Sequence, residues 1–155
     1  MRVVVARVED FPPGARRIVK AGARSIGVFR VEDRFFALRN RCPHQGGPLC
    51  EGRLSAWAVA DAPGQVQMTG PPRLVACPWH GWEYDLETGQ SFLGPGETRV
   101  KAYDVSVARG GTLDGDVRRA EVPEGARAAG REPGPYVAET FPVYVDEEDY
   151  VVVDV

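Results

Sequence analysis

The chain has 155 residues and a mass of 16.9 kDa, and hydrophobic residues make up 43% of it. That is the size of one domain able to bury its own core. No apolar run approaches the roughly 18 residues of a membrane span, and residues 1–11 lack the long apolar stretch of a signal peptide. The formal charge of −3 and the lack of a basic cluster argue against nucleic acid as a partner. We expect one cytoplasmic domain, residues 1–155, whose partners are proteins.

The first forty residues alternate short β-branched or aromatic runs with turn residues. Strands are predicted at 3–8, 17–20, 25–31 and 35–38, with turns at residues 12–14 and 32–33. This pattern predicts an antiparallel meander. A 3.6-residue apolar period does not persist for three turns anywhere, so the fold class is predicted to be all-β.

The middle of the chain holds two segments rich in glycine and proline, residues 41–52 and 77–81, each entered from a short predicted strand. They are expected to be loops at one end of a sheet. Residues 82–86 and 90–92 flank Glu87-Thr88-Gly89 as a predicted hairpin, and Gly94-Pro95-Gly96 predicts another tight loop.

The last third changes in composition. Residues 110–135 are rich in Gly, Pro, Ala, Arg and Glu and predict a mobile surface insertion or internal linker, to which no function is assigned. Residues 137–145 and 150–155, joined by the acidic residues 146–149, predict a closing hairpin. Residues 100–107 and 138–145 share an aromatic-x-Val-x-Val pattern, which two strands facing one core would explain.

The unusual chemistry lies in Cys42-Pro43-His44 and Cys77-Pro78-Trp79-His80, which contain both histidines of the chain. Each loop offers one sulfur and one nitrogen. A Rieske-type 2Fe-2S centre needs that set, because one iron keeps two cysteines while two histidines bind the other. An all-cysteine cluster needs four thiolates, and only three cysteines exist. A structural zinc site remains a possible alternative, although its ligand pairs are usually spaced differently. The other alternative is that these residues are core residues that lie near one another by coincidence.

Around these residues the sequence resembles the Rieske ferredoxins and the Rieske domains of ring-hydroxylating oxygenases. The matching segments are residues 42–52 (CPHQGGPLCEG) and 77–85 (CPWHGWEYD), and the likeness covers about residues 2–107. It implies a Rieske-type antiparallel β sandwich of three layers, with the cluster-binding loops at one tip. It also implies one 2Fe-2S cluster per chain, with the ligands Cys42, His44, Cys77 and His80.

The resemblance also gives neighbouring residues expected roles. Tyr84 matches a tyrosine that donates a hydrogen bond toward the cluster, and Trp82 stands where higher-potential relatives have a serine donor. Trp79 and Trp82 are expected to shield the cluster from water. Pro95 matches a proline in a third shielding loop.

The third cysteine, Cys50, is expected to be neither a ligand nor a disulfide partner. In respiratory relatives an extra cysteine in each loop forms a bridge, but Gly47 and Trp79 occupy those positions here. A buried free thiol is the expected role of Cys50.

Two insertions depart from the family pattern. One covers about residues 56–72 and carries Trp57 and Met68; it is either a partner-docking flap or, as we favour, a longer hairpin. The other covers about residues 110–135 and leaves open which copy of the aromatic-x-Val-x-Val pattern is the final strand of the family.

The predicted function is electron transfer. An oxygenase subunit needs a second iron bound by two histidines and a carboxylate, and the cluster already uses both histidines. We therefore expect no catalytic site in this chain. It would pass single electrons from a flavin-dependent reductase to a terminal oxidoreductase such as an oxygenase. A Rieske-type small subunit of an enzyme complex such as nitrite reductase and a zinc-stabilised binding module are the alternatives.

Overall fold

The computed structural model describes residues 1–92, 98–113, 117–119 and 148–155. Two single 3-10 turns, Leu49–Glu51 and Gly110–Thr112, accompany the strands, and the all-β prediction is confirmed. Within the described ranges no helix is long and apolar enough to cross a membrane. The strands are β1 Arg2–Arg7, β2 Arg16–Ala21, β3 Arg24–Val31, β4 Arg34–Arg39, β5 Arg53–Ala60, β6 Val66–Ala76, β7 Glu83–Asp85, β8 Ala102–Tyr103, β9 Val105–Arg109, β10 Val117–Arg119 and β11 Asp149–Asp154.

The strands form three sheets, ordered β10-β1-β11-β9, β2-β3-β4-β8 and β5-β6-β7. The pairs within them are antiparallel except for β1 with β10, which run parallel. The predicted meander is confirmed for β2, β3 and β4 but is wrong for β1, which pairs with β11. The pattern of a strand shows which face is buried, whereas its neighbour can come from any distance along the chain.

The sheet β2-β3-β4-β8 is the middle layer because its residues enter two separate cores. Phe29 and Leu38 pack with Val75 and Tyr84 of the third sheet. Ile26, Val28 and Ala37 face the other way, where the core also holds Val3, Phe11, Val151 and Val153. Adjacent residues of a strand point to opposite faces, so the nearly unbroken apolar run of β3 fits a strand covered on both sides. The result is the predicted three-layer sandwich.

The insertion at 56–72 is a hairpin extension, as favoured. β5 and β6 pair from Arg53 and Ala76 out to Ala60 and Val66, with a register shift between Ser55 and Trp57. The hairpin therefore continues well beyond the three-residue strand β7, which pairs with Leu74, Val75 and Ala76 at the base of β6.

Several predictions for the last third fall outside the described residues: Gly94-Pro95-Gly96, most of the insertion at 110–135, and the strand at 137–145 with its second aromatic-x-Val-x-Val copy. The expectation of a mobile insertion or linker over 110–135 is wrong at Val117–Arg119, which forms β10 beside β1. The strand predicted at 150–155 is confirmed as β11, which lies between β1 and β9.

Candidate metal centre

The first predicted ligand loop turns tightly at its cysteine. The Cys42 N–H donates to the carbonyl of Gly47, and the Cys42 carbonyl accepts from the N–H of Gly46, both at 2.8 Å. Gly46 has a φ of 81°, a left-handed conformation that glycine adopts without the steric cost of a side chain. The turn leaves His44 at its crest.

The second loop repeats this geometry. The Cys77 N–H donates to the carbonyl of Trp82, and the Cys77 carbonyl accepts from the N–H of Gly81, again at 2.8 Å. Gly81 has a φ of 72°. The shared spacing from cysteine to glycine therefore encodes the same turn twice, with a histidine within each turn.

The two turns bring the predicted ligands together in two pairs, thiol with thiol and imidazole with imidazole. The rings of His44 and His80 meet edge to face with centroids 4.7 Å apart. Cys42 and Cys77 are each only 2% exposed. Burial and the neighbouring Cys42 thiol raise the pKa of Cys77, while hydrogen bonds from the backbone of Trp79 and His80 act in the opposite direction. Two sulfurs thus lie inside the site and two imidazoles lie at its tip.

The donors fit a binuclear iron centre. Nδ1 of His44 is buried and has no hydrogen-bond partner among the described residues, although buried polar atoms are nearly always satisfied. In the described part of the chain, no three His, Cys, Asp or Glu side chains converge as ligands of one ion. A structural zinc ion would require four ligands around one centre, whereas a Rieske cluster takes two sulfurs on one iron and two nitrogens on the other.

Tyr84 lies beside the sulfur of Cys42. Its hydroxyl oxygen is 3.3 Å from Cys42 Sγ, and the whole side chain is buried. Burial, followed by the neighbouring Cys42 thiol, raises the pKa of Tyr84. The phenol therefore keeps its proton and can donate it toward the sulfur, in the position that the sequence predicts.

The two tryptophans cover different parts of the site. Trp82 stacks on His44, with ring centroids 4.2 Å apart and planes 10° apart. Trp79 is 57% exposed and lies over Gly47, where a Cβ would come within 2.8 Å of the indole and 3.0 Å of Cys77 Sγ. A larger residue than glycine at position 47 would displace Trp79 or the Cys77 sulfur. Pro95, the other predicted shield, lies outside the described residues.

Cys50 lies in the core next to the ligand loops. It is fully buried, and its thiol faces the carbonyl of Leu38 at 3.6 Å. Burial raises the pKa of this thiol to about 12. A Cβ on Gly27 would overlap the Cys50 side chain. Cys50 is a free cysteine in a packed position, as the sequence predicts.

Two residues that form hydrogen bonds with the end of the first ligand loop, Arg16 and Asn40, were not predicted from the sequence. Arg16 donates to the carbonyls of Cys50 and Gly52, and the Asn40 side chain accepts from the Cys50 N–H at 2.8 Å. Arg16 comes from β2 and Asn40 from the end of β4, so nothing in the sequence of the loop itself indicates them.

Asp85 was also missed as a structural residue. It is 1% exposed, and its carboxylate accepts from the N–H groups of Glu87 and Thr88 at 2.9 and 2.8 Å. Arg73 Nε donates to the other oxygen at 2.6 Å. Burial opposes the charge of Asp85, but the Arg73 guanidinium and these N–H groups outweigh it and hold the pKa below its ordinary value. An aspartate two residues before Glu87-Thr88-Gly89 is a turn signal that the sequence contains.

The fold also assembles a feature that the linear sequence hides. Arg39, Arg41, Arg99 and Lys101 line a recess of about 550 Å³ together with Cys42 and His44. We call this recess, with its four cations, the basic recess. The expectation of no basic cluster is therefore wrong in three dimensions, because the cations come from separate segments of the chain.

Comparison with known proteins gives concordant matches. A family model described as the Rieske [2Fe-2S] domain matches residues 1–104. Ferredoxin CarAc of Metapseudomonas resinovorans is 30% identical over 68% of this chain and 85% of that protein. The 3-phenylpropionate/cinnamic acid dioxygenase ferredoxin subunit of Photorhabdus laumondii is 29% identical over 70% of this chain and 89% of that protein. Apoptosis-inducing factor 3 of Mus musculus is 28% identical over 70% of this chain but only 15% of that protein.

A solved structure has the same fold. A chain in the complex of reduced oxygenase and oxidized ferredoxin in carbazole 1,9a-dioxygenase superposes with a TM-score of 0.51 and 26% identity. The superposition covers 68% of this chain and 83% of that chain.

Proposed function

Since this chain belongs to the Rieske [2Fe-2S] family, we propose that Cys42, His44, Cys77 and His80 hold its one 2Fe-2S cluster. The observation that carries the assignment is the buried, unpartnered Nδ1 of His44 beside two buried cysteines in two matching turns. When bound, such a cluster accepts and releases one electron at a time.

The proposed role is that of a carrier between a flavin-dependent reductase and a terminal oxygenase, in the cytoplasm. Two of its relatives are named as ferredoxins or ferredoxin subunits, one of them of a dioxygenase. His80 is exposed, so a partner can approach the ligand loops closely. Both histidines of the chain are used as cluster ligands, which leaves none for a mononuclear catalytic iron. Substrate oxidation is therefore the task of the partner.

The cluster assignment is tested by metal analysis. Protein purified without chelator should be red-brown and contain two irons and two acid-labile sulfides per chain. Stoichiometric zinc without sulfide would support the zinc-stabilised module instead.

The ligand assignment is tested by single alanine variants at positions 42, 44, 77 and 80. Each should lose or degrade the cluster, because metal binding requires the complete ligand set. Cys50→Ala is the matched control, since it removes a cysteine from the same core, and it should keep its iron. Loss of iron in that control would overturn the assignment.

The carrier role is tested by reconstitution with a purified flavin-dependent reductase and a terminal oxygenase of a three-component system. Product formation should depend on added wild-type protein and should stop with Cys42→Ala. The role would be contradicted if protein with an intact cluster, reducible by dithionite, supported product formation by none of the oxygenases tried.

A further inference from the structure

The backbone brings the four cations of the basic recess together from two neighbouring strand segments. Arg39 ends β4, and its N–H donates to the carbonyl of Lys101 at 2.9 Å. Arg41 leads into the first ligand loop, with its guanidinium 3.4 Å from where a Cβ on Gly46 would lie. Arg99 forms an isolated bridge with Gln90 one residue before Val100. The cations are therefore held against the His44 side of the candidate metal centre.

These four charges lack acidic partners among the described residues, as do Arg17 and Arg24, but only in the recess do four such cations lie together. Arg7, Arg34 and Arg73 each form an ion pair of 2.6–2.7 Å. Among the described residues, no carboxylate lies within 4 Å of the cationic nitrogens of Arg39, Arg41, Arg99 or Lys101, and no carboxylate lines the recess. Removing these four positive charges from the formal charge of −3 would leave −7. The described lining of the basic recess is thus positive on an otherwise acidic protein.

We propose that the basic recess is the docking surface for an acidic face of a protein redox partner, which it brings against the His44 side of the cluster. The inference rests on the proposed function, since it concerns where the electron enters or leaves. Unpaired exposed charges of one sign focus the field, raise the encounter rate and select a partner of opposite sign. Because Cys42 and His44 line the same recess, a partner seated there touches the ligand loop.

The charge distribution favours a protein over nucleic acid. A long polyanion would extend beyond the recess and meet the acidic remainder of the surface. A folded partner needs only one acidic patch that matches the recess. Attraction of this kind weakens over a Debye length of about 8 Å at physiological salt, so its range is comparable with the recess itself.

The test uses protein with its cluster on gold electrodes coated with carboxylate-terminated or amine-terminated monolayers. The net charge alone would favour the amine surface, whereas the basic recess favours the carboxylate surface. We expect faster interfacial electron transfer and greater adsorption on carboxylate, and both should weaken with added salt.

The decisive variant is Arg39→Gln/Lys101→Gln, which removes two cations from the recess. It should lower the electron-transfer rate on carboxylate by roughly tenfold. The control is Arg34→Gln/Arg109→Gln, which makes the same change of net charge at exposed sites outside the recess. Arg34 lies five strand residues from Arg39, about 16 Å at the usual rise per residue.

Equal rates for the recess variant, the control and the wild type on carboxylate would overturn the inference. So would binding of the wild type to a DNA duplex at physiological salt that the recess variant loses while its carboxylate rate is unchanged. Either result counts against the inference only if the proteins tested contain iron and have the visible spectrum of the cluster. Protein without a cluster would instead refute the proposed function, so the two failures are distinguishable.

Discussion

The Tyr84 hydroxyl and the Cys42 sulfur lie 3.3 Å apart where solvent does not reach. A hydrogen bond donated to sulfur stabilises the reduced, more negative state of the cluster. We expect Tyr84→Phe to keep the cluster but to lower its potential. A loss of about 1 kcal/mol corresponds to about 40 mV for one electron, since 59 mV is a factor of ten. Protein-film voltammetry measures the shift.

Tyr103→Phe is the control for that substitution. Tyr103 packs against the other core, so losing its hydroxyl removes a tyrosine oxygen without touching the ligand loops. An unchanged potential in Tyr84→Phe, or an equal shift in Tyr103→Phe, would show that the phenol does not act on the sulfur.

At the scale of single residues, the sequence predicts the roles of those residues whose type and spacing are specific to one kind of site. The candidate ligands follow from residue type and spacing, and Tyr84 follows from a motif. Arg16 and the basic recess could not be predicted, because their contacts join strands that are far apart in the chain. An arginine on a strand has the same local pattern whether it faces solvent or a loop carbonyl.

The short hairpin that begins with β7 depends on Asp85. Because the Arg73 guanidinium and backbone N–H groups hold the pKa of Asp85 below its ordinary value, the folded protein keeps this charge to lower pH than the unfolded chain does. The stabilisation is complete above the unfolded value of about 3.9 and is lost as the pH falls through the folded pKa.

We therefore expect Asp85→Asn to lower the free energy of unfolding by about 1–3 kcal/mol at neutral pH. The difference from the wild type should shrink as the pH falls below about 4. Urea unfolding followed by far-UV circular dichroism from pH 7 to pH 2.5 measures both. Asp33→Asn, at a fully exposed side chain, should change little; a pH-independent difference for Asp85→Asn would contradict the role of its charge.

The β5–β6 extension yields a second prediction at this scale. Its outer part is exposed, including Val59, Val66 and Met68. Replacing residues 59–67 by Asn-Gly, a sequence suited to a two-residue hairpin turn, should leave iron content unchanged. The free energy of unfolding should change by less than about 1 kcal/mol.

The matched control lies at the inner part of the same hairpin. Trp57 packs edge to face on Phe92, with centroids 4.7 Å apart. Trp57→Ala should cost about 1 kcal/mol or more in denaturant unfolding. Loss of iron in the shortened hairpin, with Trp57→Ala unaffected, would mean that the tip supports the metal centre.

Strand positions were largely predictable, because alternating burial leaves a pattern in the sequence. Strand partners were not. The backbone hydrogen bonds of β1 go to β11 and β10, and no local feature of residues 2–7 distinguishes those neighbours from β2. The hairpin at 82–92 was predictable because its turn residues are local, and the antiparallel bridge between Tyr84 and Ser91 bears it out.

For the molecule as a whole, the balance of hydrogen bonds and charges sets the reduction potential. Among the described residues, Tyr84 is the side-chain hydroxyl that contacts a ligand sulfur. Trp82 lies flat on His44, so the face of its ring, and not a donor group, meets the ligand. Positions 47 and 79 hold glycine and tryptophan, so no cysteine pair bridges the two ligand loops there. The Tyr84 hydrogen bond raises the potential, whereas we expect the lack of a donor at Trp82 and of a disulfide between the two loops to lower it.

The cations of the basic recess act in the opposite direction, since positive charge stabilises the reduced state. An exposed charge about 10 Å away contributes roughly 0.4 kcal/mol in water, and about a third of that at physiological salt. Together the four cations then contribute about 0.5 kcal/mol, less than the roughly 1 kcal/mol of a direct hydrogen bond to sulfur. We therefore expect a potential below zero, toward the low end of the roughly −150 to +300 mV Rieske range. The double variant Arg39→Gln/Lys101→Gln should have a slightly lower reduction potential than the wild type, and this difference should be smaller at high salt. Voltammetry at neutral pH measures all three values, and a wild-type potential well above zero would contradict the assignment of a low-potential carrier.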